Sequence, residues 1–306
     1  MAATRVLGSL AALVVLAACG GPSQGGQTSA GAFPLTLSAA GGKVTISHRP
    51  ARIVSLSASA TQDLYAVGAG SQVVAVDAYS TYPPEAPRTS LSGFQPNVES
   101  IAGYRPDLVV TADDTGDLSG QLHKLSVPVL IEPPAADLDG VRSEMIEIGR
   151  ATGHAAEAAA AVSRLDQQVR SILDTVPRTG RRLAVYHELD QTYYSATTHS
   201  FVGQVYKLLG LRDIADAAPG SNPYPQLSSE FIISANPDLI VLADTDCCQQ
   251  SLATVRARPG WSSIAAVRTG AVVAVHDEIA SEWGPRVTLF MQAIVAELKT
   301  MVAQGG

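Results

Sequence analysis

A twelve-residue pattern that occurs twice constrains this chain most. Glu99-Ser100-Ile101-Ala102-Gly103-Tyr104-Arg105-Pro106-Asp107-Leu108-Val109-Val110 returns as Glu230-Phe231-Ile232-Ile233-Ser234-Ala235-Asn236-Pro237-Asp238-Leu239-Ile240-Val241. Both copies specify a short helix, a proline that ends it, and an apolar strand. The residue before a proline is pushed out of the right-handed helical region, so the helix stops there. The unbroken apolar run after the Asp fits a strand covered on both faces. Asn97 and Ser228, two residues before each Glu, are candidate N-caps. Glu99 and Glu230 then fall in first helical turns, where the helix dipole favours an anion by about 0.3–1 kcal/mol. One supersecondary unit used twice, about 130 residues apart, predicts two similar lobes.

The rest of the chain fits an α/β fold of two Rossmann-like lobes, an N-terminal lobe over 33–137 and a C-terminal lobe over 178–306. A hairpin is expected from Phe33–Ser38 and Lys43–Ser47. Strands are expected at Arg52–Ser57, Val73–Asp77, Leu108–Thr111 and Val127–Ile131, alternating with helices at Thr61–Val67 and Leu118–Leu125. Between the lobes, 138–177 is helical. Leu138–Ala151 is stopped by Gly153, and Ala155–Thr175 is an alanine-rich run without glycine or proline. At 1.5 Å per residue the second helix spans roughly 30 Å and reads as a single rigid strut joining the lobes. In the second lobe, strands are expected at Leu183–His187, Leu239–Ala243 and Val272–Val275, and a short one within Gln191–Ala196. Helices are expected at Phe201–Leu209 and Arg286–Val302, with Cys247-Cys248 and Glu278–Pro285 in loops.

The N-terminus carries an address. Met1–Arg5 is a short positive start, Val6–Leu16 an apolar core, and Leu16-Ala17-Ala18-Cys19 a bacterial lipobox. The apolar run is too short to cross a bilayer. Residues 1–18 are expected to be a lipoprotein signal peptide, Cys19 the acylated residue, and 19–32 a flexible tether. The mature protein should be extracytoplasmic, held on the outer face of the cell membrane by lipid. There the adjacent Cys247 and Cys248 are free to form a disulfide, remain thiols, or bind a soft metal; the disulfide is favoured.

Chemistry is sought at strand C-termini, where open parallel sheets hold ligands. The candidates are Tyr79, Tyr82, Phe94 and Asp113 on the first lobe, and Tyr193, Tyr194, His199, Tyr224, Trp283 and Arg286 on the second. Aromatic residues make up only 5% of the chain, yet seven of the sixteen fall in these loops rather than on core elements, which favours ligand contact. The chain has no phosphate-binding glycine loop, nucleophile elbow or HExxH motif, so no enzyme, cofactor or protein-held metal is indicated. A net charge of −7 without a basic cluster argues against nucleic acid. His187 and Glu188 are neighbours on a strand and should face opposite sides of it.

The order of lipobox, hairpin, Arg52-Ile53-Val54-Ser55-Leu56, Tyr82-Pro83-Pro84, first Glu unit, long helix, second Glu unit and Trp283-Gly284-Pro285-Arg286 resembles the substrate-binding proteins of metal-chelate ABC importers. That family binds ferric siderophores, haem and cobalamin, and its vitamin B12 binders are especially similar in the Tyr-Pro-Pro and Glu regions. The resemblance runs from about Phe33 to Val302. It implies two lobes bridged by one long helix, a ligand cleft between them, and a monomer that docks on an ABC permease dimer through Glu99 and Glu230. It places an aromatic at Phe94 and Tyr224 where B12 binders have cleft aromatics, and it offers Arg286 to an anionic group of the chelate. An arginine at a helix start is otherwise unfavourable by dipole. Aromatic loops with few basic residues suit cobalamin or haem better than a catecholate siderophore. The alternatives are a receptor for free Zn or Mn ions, a surface metallohydrolase built on His187, His199 and Glu188, and a lipoprotein of envelope assembly.

Overall fold

The duplicated pattern folds into a duplicated architecture. In this computed structural model, which describes residues 33–305 and the first two residues, a hairpin precedes two four-stranded parallel sheets. The lipobox, Cys19 and the tether lie outside the described residues. Strands β1 (Leu35–Ala39) and β2 (Gly42–Ile46) pair antiparallel, Leu37 opposite Val44. The first sheet contains β3 (Ile53–Ser55), β4 (Val73–Val76), β5 (Leu108–Thr111) and β6 (Val129–Ile131), in the order β4-β3-β5-β6. The second contains β7 (Ala184–Glu188), β8 (Arg212–Asp213), β9 (Leu239–Leu242) and β10 (Val272–Ala274), in the order β8-β7-β9-β10. In each sheet the second strand lies outside the first, and the third and fourth continue on the other side. The strand order therefore reverses between β3 and β5 and between β7 and β9, the places where such sheets open a crevice. Every residue of β5, β7 and β9 is buried; the apolar runs of β5 and β9 require it, whereas β7 also buries His187 and Glu188.

The repeated unit shows why its residues recur. Asn97 caps helix Val98–Gly103 by accepting the Ser100 amide at 2.8 Å, and Ser228 caps Ser229–Ala235 by accepting that of Phe231 at 3.1 Å. The residues before the two prolines, Arg105 and Asn236, adopt left-handed backbone at φ 49° and 46° and end both helices. The Asp after each proline then pins the first strand of its lobe. Asp107 accepts the amides of Ala51 and Arg52 at 2.9 Å each, and Asp238 accepts that of Ala184 at 2.8 Å.

Two helices, Leu138–Thr152 and Ala155–Leu173, carry the chain from the first sheet to the second. Gly153, at φ 78°, turns the chain between them, and Arg142 bridges them to Asp166 at 2.7 Å. Helix Ala58–Ala66 packs on Leu138–Thr152, which packs on Ala155–Leu173, which packs on the C-terminal helix Val287–Gly305. One apolar core therefore runs through both lobes, and a second, smaller one fills the other face of the first sheet.

Differences from expectation are local. Gln191–Ala196 forms no strand, only a single bridge between Tyr194 and Gln226, because Tyr193 turns the chain at φ 70°. Cys247 and Cys248 lie in a short helix, Thr245–Cys248, rather than in a loop, and are joined by a disulfide. Glu278 falls in helix Asp277–Ser281. Strand β8 and helices Leu252–Ala257 and Ala265–Thr269 were not marked by any apolar period long enough to read.

Candidate functional site

The loop Glu282–Arg286, between two helices of the second lobe, reaches across to the first lobe. Its tryptophan anchors an aromatic stack, with Trp283 lying over Phe201 at 5.5 Å and over Tyr224 at 6.4 Å, the latter pair tilted by only 6°. Helix Phe201–Leu208 holds Phe201 because Ser200 caps it, accepting the Gly203 amide at 3.1 Å. Arg286 places its guanidinium carbon 4.0 Å from the ring centre of Tyr82, on the first lobe. The same guanidinium donates to Glu278 at 2.8 Å and lies 3.9 Å from Glu282.

Both carboxylates also bond the first lobe. Glu278 accepts the Thr81 hydroxyl at 2.6 Å, and Glu282 accepts the side-chain amide of Gln62. The Thr81 bond, together with Arg286, holds the Glu278 carboxyl below its ordinary range. Burial, with Glu278 close by, pushes Glu282 up to about 7. The junction is thus closed by an aromatic–cation contact and two hydrogen bonds. Several buried groups in it still lack hydrogen-bond partners: the Trp283 Nε1, the Arg286 Nε and Nη1, the Gln62 Oε1 and both Asp63 oxygens. Buried donors and acceptors left unpaired cost about 1–3 kcal/mol each, so these atoms are the ones in the seam with capacity for a further polar partner, water or ligand.

Of the residues marked from sequence, Tyr82, Tyr224, Trp283 and Arg286 meet at this junction. Tyr79 and Phe94 form an edge-to-face pair at 5.3 Å on the first lobe, and both are exposed, Phe94 by 71%. Phe94 also borders a pocket of about 380 Å³ with Pro96, Val98 and Leu118, beside the start of the Glu99 helix. Tyr193 turns away from the seam. It stacks on Trp261 at 5.6 Å, and Arg258 lies over both rings. Tyr194 is exposed, and Asp113 is occupied by its own loop, accepting from Thr115 at 2.9 Å. His199 lines a separate polar hollow with Thr198 and Asn222. Glu99 and Glu230 are exposed in the first turns of their helices.

Gln62, Thr81, Glu278 and Glu282 were missed from sequence. Glu278 and Glu282 stand eight and four residues before Arg286, and the available signal was two acids close in sequence to a lone arginine in one loop region. Arg258 was missed as well. It makes a two-pronged pair with the fully buried Glu188, at 2.5 and 2.6 Å.

The imagined hydrolase site does not assemble. His187 and Glu188 do face opposite ways: His187 bonds Tyr206 at 2.6 Å against Phe290, while Glu188 meets Tyr186 and Arg258. Burial drives the His187 imidazole down to about 3. Among the described residues no group of His, Cys, Asp or Glu side chains is arranged to hold a metal ion. His154 precedes helix Ala155–Leu173 and lies 2.8 Å from Arg49 and 2.9 Å from Gln72.

Two topologically equivalent α/β lobes that meet at an aromatic seam define the architecture of a two-lobed binding protein. The chain belongs to the periplasmic binding protein family, whose model matches residues 53–279. It is 34% identical over 266 residues to a cobalamin-binding protein of Halobacterium salinarum, covering 83% of this chain and 71% of that one. It is 29% identical to an uncharacterised ABC transporter substrate-binding lipoprotein, YvrC, of Bacillus subtilis, over 90% of each. Its fold matches the periplasmic haem-binding protein HutB of Vibrio cholerae with a TM-score of 0.72 at 21% identity, covering 81% of this chain and 98% of that one.

Proposed function

We propose that this protein is an extracytoplasmic receptor that captures a metal chelate between its lobes and delivers it to an ABC permease, without performing chemistry on it. The observation that carries this reading is the seam itself. It gathers Trp283, Tyr224 and Tyr82 between the lobes, beside buried donors and acceptors with no partner. Ring faces suit a flat or partly apolar chelate, and open polar groups fix its orientation. The kinship with a cobalamin-binding protein favours a corrinoid ligand.

Docking is assigned to Glu99 and Glu230, one exposed carboxylate per lobe on equivalent helices. A charge-assisted hydrogen bond contributes about 1.5–3 kcal/mol, so two of them orient the receptor on a two-subunit permease without trapping it. Acylation at Cys19 keeps it at the membrane, a reading supported by the lipobox and by its lipoprotein relative.

The test is quenching of tryptophan emission by cyanocobalamin, haem and ferric siderophores. The chain has two tryptophans, and Trp261 is fully buried away from the seam. A chelate in the cleft should quench the native protein and leave Trp283→Phe nearly silent. No quenching and no thermal stabilisation with any chelate would defeat the proposal.

A further inference from the structure

Arg286 carries the positive charge of the junction, and two carboxylates of its own lobe already hold it. Glu278 bonds it at 2.8 Å and Glu282 stands 3.9 Å away, while the side chain is only 12% exposed. Each of these carboxylates also accepts a bond from the opposite lobe, through Thr81 and Gln62. The charge of Arg286 is therefore balanced before any ligand arrives. What remains open on it is neutral hydrogen-bonding capacity, at Nε and Nη1, alongside the Trp283 Nε1. The Gln62 Oε1, also without a partner, lies beside Gly284 of the same loop.

We infer that Glu278 and Glu282 are specificity determinants that bar anionic chelates from Arg286 and select a chelate fringed with neutral carboxamides. A carboxamide supplies an acceptor for the Trp283 and Arg286 N–H groups and a donor for the Gln62 oxygen. A ligand carboxylate supplies acceptors only, must displace a built-in carboxylate to reach the guanidinium, and meets like charge on both sides. The charged groups around Glu282 are Glu278, Arg286 and Asp77, so anions outnumber cations at the position a ligand anion would approach. Burial holds Glu282 at about 7, so mild acidification takes one of these charges away.

This inference rests on the chelate-receptor reading, and its test separates the two. Two corrinoids with the same ring serve as probes: dicyanocobinamide, fringed by amides, and dicyanocobyrinic acid, fringed by carboxylates. Affinities are measured by Trp283 quenching and calorimetry for the native protein and for Glu278→Gln with Glu282→Gln, with thermal unfolding to establish that the variant folds. If the variant does not fold, Glu282→Gln alone is compared. The native protein should prefer the amide probe. The variant should shift the ratio of the two dissociation constants toward the carboxylate probe by about tenfold or more, the scale set by removing one close like-charge contact. For the native protein, lowering the pH from 7.5 to 6 should shift the ratio the same way. A ratio that stays within about twofold in the variant, while both probes still bind, overturns the inference alone. Failure of the native protein to bind either corrinoid overturns this inference together with the corrinoid preference, and leaves the receptor reading to the haem and siderophore titrations above.

Discussion

The guanidinium of Arg286 rests 4.0 Å from the centre of the Tyr82 ring, so a cation rooted in the second lobe is seated on an aromatic rooted in the first. Contacts of this kind contribute about 0.5–1 kcal/mol when exposed and about 2 kcal/mol when desolvated. Tyr82→Leu should therefore weaken chelate affinity by about threefold to thirtyfold. It should also loosen the empty protein, seen as a larger radius of gyration by small-angle scattering. An unchanged radius and affinity would mean that the contact is incidental.

Removing one partner of the Glu188–Arg258 pair leaves an uncompensated charge in the second lobe. Arg258→Met should destabilise the protein by about 3–5 kcal/mol, read from urea unfolding. Arg258→Met combined with Glu188→Gln should recover a large part of that loss. A double variant as unstable as the single would show that packing of Arg258 on Trp261 matters more than its charge.

Glu132 closes β6 inside the first lobe, and burial, with Glu147 and Glu144 nearby, pushes its carboxyl from 4.5 up to about 9. The unfolded chain releases this proton near pH 4.5, whereas the native one keeps it until about 9. Between those values the folded state binds the extra proton, so stability falls as pH rises, by up to about 1.4 kcal/mol per pH unit for one proton. Urea unfolding at pH 6, 7.5 and 9 should show the decline, and Glu132→Gln should make it shallower, with Glu144 and Asp213, both pushed up to about 8, keeping their own share. An identical pH slope in the variant would exclude Glu132 as the source.

Glu99→Arg with Glu230→Arg should leave chelate affinity within about twofold while stopping uptake in a transport assay, because both side chains are exposed and make no bond to the seam. Loss of affinity instead would assign the two glutamates to the pocket.

Much of this molecule is legible in its sequence because the decisive signals are local. The proline, the preceding cap and the apolar run fix each repeated unit within a dozen residues. What the repeat could not reveal was the purpose of its aspartates. Asp107 and Asp238 act on backbone more than fifty residues upstream, with separations of 55 and 54 for the Arg52 and Ala184 bonds. The seam was half visible. Tyr82, Trp283 and Arg286 stand out by residue type and loop placement, whereas Gln62 and Thr81 are ordinary residues made important by a fold contact about two hundred positions away. Tyr193 carried the same aromatic signal as Tyr224, but its left-handed backbone sends it to Trp261 instead.

The four helices stacked from Ala58–Ala66 through to Val287–Gly305 share one apolar interior with both sheets. A receptor built this way behaves as a tuning fork, whose prongs spread only as far as their common stem will flex. Neither prong would stand alone if the gene were cut at residue 177, since each half would bare the greasy flank that the other now covers. On the docking proposed for Glu99 and Glu230, a captured cargo would be announced by small displacements at the tips.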